Sequence, residues 1–184
     1  MSPCIVGNEV NLIDLANKYG TPLLVYDLKK VEENYRAIKE ALGAKIFYSV
    51  KANANLALLS FLKKLGSNID AVSPGEIYLA MKAGIEPSNI LYTASYLSDE
   101  DIKYGINAGV IFNFDSKRSF KRAISLGYKH KPIFFRLDLG YDKGFTAGVT
   151  LAGEENKFGM FLRDAIEAYG FAKSLGAEEF GIHA

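Results

Sequence analysis

Apolar and polar positions along this chain fall into short blocks that alternate between two periods. Leu28, Val31, Tyr35, Ile38 and Leu42 step by three and four residues, so they share one helical face, with the charged residues between them turned to water. Ser73-Pro74-Gly75-Glu76 predicts a helix start: serine caps, proline fits the first turn, and glutamate three residues on completes a capping box. Ser98-Asp99-Glu100-Asp101 and Asp115-Ser116 predict the next two starts. A recurring pair marks the helix ends: Leu42-Gly43, Leu65-Gly66, Ala83-Gly84, Ala108-Gly109, Leu126-Gly127 and Leu175-Gly176. Glycine there can adopt the left-handed conformation that closes a helix.

After each pair comes a short run of apolar, aromatic or β-branched residues, as buried parallel strands require. These runs predict strands at 45–50, 68–72, 90–93, 110–114, 132–137 and 179–183. The first five closing glycines lie 18 to 25 residues apart, the spacing of a repeated strand–helix unit. The last gap holds a long segment, 140–159, with Gly140, Gly144, Gly148, Gly153 and Gly159 among polar residues, and no periodic element. A loop of that length at a strand end is more often functional than idle. Alternating strands and helices imply an α/β fold with right-handed parallel crossovers. The pattern leaves two architectures open, a doubly wound sheet and a β/α barrel. No G-x-G-x-x-G follows a strand, which weakens the dinucleotide-binding form of the first.

Composition narrows the function classes. The 184 residues are 49% hydrophobic and 23% charged, the profile of a globular domain with a real core. Lysine plus arginine number 22 against 21 acidic residues, and a net charge of +1 gives no electrostatic case for nucleic acid or an anionic membrane. Apolar runs such as 132–135 are too short to span a bilayer, and 1–10 has no signal-peptide pattern. The lone Cys4 can form neither an internal disulfide nor a cysteine metal cluster; a reducing, cytoplasmic setting is expected, with no metal site.

In a β/α barrel the reacting groups sit at the carboxyl ends of the strands. Those ends carry Lys51, then Asp70 and Ser73, then 92–95, then Asn113 and Asp115, then Arg136 and Asp138, then His183. Alternation puts Phe47, Ser49 and Lys51 on one strand face. A desolvated lysine at a barrel mouth is an amine nucleophile able to form Schiff bases; the plain alternative is a surface lysine in a strand–helix loop. Arg136 shares a face with Phe134 and Asp138. Pointing inward, its guanidinium needs a carboxylate, which Asp70, Glu76 or Asp138 could supply; pointing outward, it meets a helix or solvent. Ser73 and Glu76 read as helix caps, and His130, between Lys129 and Lys131, as solvated.

Five segments carry a resemblance. Tyr48-Ser49-Val50-Lys51-Ala52-Asn53-Ala54-Asn55 resembles the cofactor-lysine motif of the diaminopimelate/ornithine/arginine decarboxylase family. Ile69-Asp70-Ala71-Val72-Ser73-Pro74-Gly75-Glu76 and Ile111-Phe112-Asn113-Phe114-Asp115-Ser116 resemble its next two motifs. Asn156-Lys157-Phe158-Gly159 is similar to its K-F-G segment, and Gly181-Ile182-His183 to the start of its G-x-H-x-H-x-G-S strand. They occur in the family's order, and the resemblance leans toward the diaminopimelate branch.

The resemblance implies an alanine-racemase-like fold: a partial (β/α) TIM-type barrel over 28–184, about six of eight strands, with 1–27 packing against a second, β-rich domain that lies outside this sequence. It implies pyridoxal 5'-phosphate held as a Schiff base by Lys51, with Asp70, Arg136 and His183 around the cofactor. The implied reaction is decarboxylation of a basic or diamino acid, meso-diaminopimelate to lysine and carbon dioxide, by a cytoplasmic homodimer whose partner is a small-molecule substrate. An amino-acid racemase and a non-catalytic pyridoxal-phosphate-binding homologue are the competing readings. His183 matches the first histidine of its motif, while the family's cofactor-stacking histidine falls two residues later. The family's Gly-Asn and lysine after the third strand are replaced here by Tyr92-Thr93-Ala94-Ser95-Tyr96-Leu97-Ser98, which bears on the choice of substrate.

Overall fold

The structure is a computed structural model, and it describes residues 5–6, 11–129, 132–139 and 158–184. Cys4, His130 and 140–157, the bulk of the glycine-rich segment, lie outside the described residues.

A short parallel pair, β1 (Ile5–Val6) with β2 (Tyr26–Asp27), brackets α1 (Leu12–Tyr19). Asp27 caps α2 (Leu28–Leu42), accepting from the N–H groups of Lys29 and Lys30. The main body follows: β3 (Phe47–Ser49), α3 (Leu56–Lys64), β4 (Asn68–Ala71), α4 (Pro74–Lys82), β5 (Ile90–Thr93), α5 (Asp99–Ala108), β6 (Ile111–Phe114), α6 (Lys117–Ser125), β7 (Ile133–Arg136), α7 (Leu162–Ser174) and β8 (Phe180–His183). The six strands β3 to β8 form one parallel sheet in strict sequence order. A doubly wound sheet reverses its order at a switch point. An order without reversal is that of a barrel wall, which settles the alternative left open by the pattern.

All six closing glycines have positive φ, from 59° at Gly43 to 100° at Gly127, as the pairs predicted. The strands are one or two residues shorter at their ends than their apolar runs, except β5, which coincides with its run. One expected cap differs in detail. Ser73 caps α4 by accepting from the Glu76 N–H, but Glu76 Oε2 accepts from Val72 N at 2.8 Å, so the box closes one residue earlier than the pattern implied. The boxes at Ser98/Asp101 and Ser116/Ser119 are complete.

Alternation along the strands divides the core. Ile69, Tyr92, Phe112, Phe114 and Phe135 turn outward under the helices and are fully or almost fully buried. Phe112 stacks on Phe114 and meets Tyr92 and Tyr128 tilted or edge-on, as Phe135 meets Phe120 and Tyr169. Tyr92, read as one of the strand-end polar groups, therefore belongs to this outer core; its burial pushes the phenol well above its usual range. The opposite face carries Ser49, Asp70, Thr93, Asn113, Phe134, Arg136, Gly181 and His183. There the Phe134 ring lies where a Cβ on Gly181 would stand, 2.1 Å from its nearest atom, so only glycine fits opposite it.

Candidate active site

Lys51 reaches the sheet's carboxyl edge by a turn, not by strand alternation. After Ser49 the chain enters a 3-10 turn, Val50–Ala52, in which Val50 is fully buried and Lys51 is exposed. Tyr48 Oη donates to Asn53 O at 3.3 Å, Asn53 Oδ1 accepts from Asn55 N, and Asn55 Oδ1 caps α3. The buried valine and the two asparagines hold the turn from both ends, which leaves the amine at the mouth of the sheet.

The pocket at that mouth has a volume of about 460 Å3 and is lined by Lys51, Asp70, Val72, Thr93, Ala94, Ser95, Tyr96, Arg136, Phe158 and His183. Six strands laid flat would put β3 and β8 about 24 Å apart at the usual spacing. Groups following β3 and ending β8 nonetheless share this pocket, so the sheet curls into a partial barrel. All four residues singled out from the sequence, Lys51, Asp70, Arg136 and His183, are brought together here.

Their partners differ from expectation. In register with Ser49, Asp70 accepts from Ser49 Oγ at 3.2 Å through Oδ2, while its Oδ1 is buried with no hydrogen-bond partner. Arg136 was expected to pair with Asp70, Glu76 or Asp138. Among the described residues it has no carboxylate within ion-pair distance. Its guanidinium lies over the Phe158 ring, 4.6 Å from the centroid. Glu76 is taken up by the α4 cap. The Phe158 ring is delivered by a graft onto β7: Met160 N donates to Arg136 O and Asp138 N donates to Met160 O, both at 2.8 Å. Gly159 makes that approach possible, with φ +85° and a Cβ position only 2.9 Å from the backbone of Leu137 and Asp138, just past β7. The K-F-G resemblance thus has a physical content in its last two residues.

His183 stands beside Arg136 in the β7–β8 register, and Asn113 Nδ2 is hydrogen-bonded to its Nδ1. Burial lowers the imidazole pKa below 6.5; Arg136 and Lys51 add to the lowering and Asp70 opposes it, so the ring is neutral near pH 7. Sequence reading missed Tyr96 and Phe158 as pocket walls, and it had no signal for the Asn113–His183 contact across 70 residues.

The family model for the pyridoxal binding domain of pyridoxal-dependent decarboxylases matches residues 28–184. The chain belongs to this family. Among curated members of the pyridoxal-dependent decarboxylases, the diaminopimelate decarboxylase of Methanothermobacter thermautotrophicus is 40% identical over 177 residues, covering 94% of this chain and 41% of its own length. The crystal structure of diaminopimelate decarboxylase from Helicobacter pylori complexed with L-lysine superposes with a TM-score of 0.85 at 32% identity, covering 94% of this chain and 46% of that one. The lysine decarboxylase structure from Selenomonas ruminantium gives 0.80 at 28% identity, covering 94% and 44%. The chain spans less than half the length of these relatives.

The pocket suits the pyridoxal group of this family on its own chemistry. It offers a primary amine at the mouth, a guanidinium braced on an aromatic face, and a neutral imidazole. It also holds a buried carboxylate oxygen without a hydrogen donor. Among the described residues, no helix is long and apolar enough to cross a membrane.

Proposed function

We propose that this chain supplies the lysine-bearing part of a pyridoxal-phosphate-dependent decarboxylase acting on a basic or diamino acid, with meso-diaminopimelate as the substrate. The observation that carries the reading is the convergence of Lys51, from the turn after β3, with Asp70, Arg136 and His183, from β4, β7 and β8, on one pocket at the carboxyl edge of the sheet. The names of the relatives support the diamino-acid choice.

Bound there, pyridoxal phosphate supplies an aldehyde that condenses with amines and a conjugated ring that accepts the electron pair left when a carboxylate departs. This chain's residues do the rest. Lys51 Nζ would hold the group covalently, and its amine is the proton donor that the site offers at the reacting carbon. The Asp70 carboxylate, tied by Ser49, faces the positive end of the site. Arg136, fixed by its stack on Phe158, presents charge to an anionic oxygen. Val72, Ala94 and Phe158 keep water from the walls. In the same reading the assembled protein is a cytoplasmic homodimer.

The test uses the full-length protein. Pyridoxal phosphate is bound, reduced with borohydride and mapped by mass spectrometry, with Lys51→Ala as the control. Label at Lys51 and carbon dioxide release from meso-diaminopimelate are expected. Label at other lysines only would end the assignment. Inversion of an amino acid without carbon dioxide release would replace it by a racemase.

A further inference from the structure

Asn113 is a buried polar residue that bonds to two residues of the pocket wall, Thr93 and His183, from behind them. It sits in β6, 3% exposed, and its Nδ2 has two hydrogens and two acceptors, Thr93 Oγ1 at 3.3 Å and His183 Nδ1. The carbonyl of the same amide is buried and has no partner. This orientation is costly unless the two donated bonds matter. Turned over, the carbonyl would accept from Thr93 and would demand a proton on Nδ1 of His183 instead. Burial of the ring opposes a second proton, and Arg136 and Lys51 add to that; among the described residues Asp70 acts the other way. A neutral imidazole has one proton, and an accepting Nδ1 leaves it on Nε2.

We propose that Asn113, braced by Thr93, is a positioning residue that holds the His183 proton on Nε2, making the ring a neutral donor to an anionic oxygen bound beside Lys51. Two sources share that chemistry, the ring oxygen of the cofactor and the carboxylate of the substrate. The ligand rests on the proposed function; the tautomer does not.

Nitrogen-15 NMR of the full-length protein labelled in histidine, without ligand, reads the tautomer directly, His183→Gln identifying the signal. The expected pattern near pH 7 is a protonated Nε2 and a bare, hydrogen-bonded Nδ1. A protonated Nδ1 overturns the proposal with no variant required. Asn113→Asp then offers a carboxylate that draws the proton to Nδ1. The proton should shift in the spectrum, and binding should weaken about tenfold, the loss of one hydrogen bond to a charged group. Two titrations separate the sources: pyridoxal phosphate alone, and L-lysine against the loaded protein. Weakening in the first assigns the oxygen to the cofactor, and in the second to the amino acid. Unchanged affinity in both overturns the donor role.

The double variant separates positioning from support. In His183→Gln the introduced amide carries its own N–H donor whatever Asn113 does. Asn113→Asp in the His183→Gln background should therefore leave affinity within twofold. An equal tenfold loss there would make Asn113 merely structural and overturn the proposal. Label absent from Lys51 with the expected tautomer intact would sink the proposed function alone.

Discussion

Tyr96 adopts φ 59°, a backbone conformation that glycine takes freely and that costs a tyrosine about 1 kcal/mol. Its ring covers no core: it is 79% exposed, on the rim of the Lys51 pocket. What fixes the backbone is next door, where Arg122 donates to Leu97 O at 2.9 Å and is ion-paired with Asp99. A residue strained, exposed and beside the candidate chemistry is retained at a cost to stability. Tyr96→Gly should raise stability by about 0.5 kcal/mol at most, the relief of strain less the extra freedom of an unfolded glycine. A urea midpoint that rises at unchanged slope is the readout; a fall would mean the phenol makes a stabilising contact. His183 makes a second residue-scale prediction. Its folded pKa lies below the 6.5 of the free side chain, so between those values the unfolded chain binds more protons. Stability from this group is level above pH 6.5 and is lost as pH falls through the folded pKa. From about pH 7 to about pH 5 the wild type should therefore lose more stability than His183→Gln, measured by urea unfolding at each pH. An equal loss would mean the imidazole is free to charge.

At the scale of elements, helix starts decide where the strand-end loops stand. Ser98 and Asp101 are joined by three hydrogen bonds at the start of α5, two involving backbone N–H groups at 3.1 Å and one between the side chains at 2.8 Å, just after the loop that carries Ser95 and Tyr96. Ser98→Ala should cost about 1 kcal/mol, read as a lowered midpoint in thermal unfolding. An unchanged midpoint would show that the Arg122 clamp alone sets the loop. These starts were legible in the sequence because a cap is written in four consecutive residues, and the closing glycines because their φ is a local demand. The strands were legible as apolar runs. Their ends were not, because hydrogen-bonding to a neighbour strand, not polarity, decides where a strand stops. Lys51 was legible as a strand-end amine, but alternation misassigned its route, since the turn is set by the burial of Val50. Arg136 was legible as a group needing a partner. That the partner is the Phe158 ring depends on a contact between distant segments, made possible by Gly159. The barrel itself was not readable from pattern alone, because a doubly wound sheet uses the same alternation; strand order made the distinction.

At the largest scale the described residues form a wall with two ends. On β7 the outward residues Ile133 and Phe135 are buried, with Ala165, Ala168 and Ala172 of α7 buried in the same core. On β8 the corresponding outward residues, Phe180 and Ile182, are 42% and 68% exposed. They line an apolar recess with Tyr169 and Gly170, whose one cationic member is Lys173. Among the described residues β3 and β8 each have one strand neighbour, so each presents a row of backbone groups without a strand partner there. An open edge beside an exposed apolar face is the combination that drives edge-to-edge pairing. The 184-residue polypeptide prepared by itself should therefore associate reversibly as its concentration rises, in sedimentation velocity. Ile182→Lys places a charge on the exposed face of β8 without touching the Lys51 pocket, which His183 lines from the opposite face. That variant should shift the population toward monomer and leave the circular dichroism spectrum unchanged. If it associates as strongly as the parent, the sticking surface is the other end, where Phe47 of β3 is 39% exposed. Phe47→Lys then becomes the variant that must dissociate it.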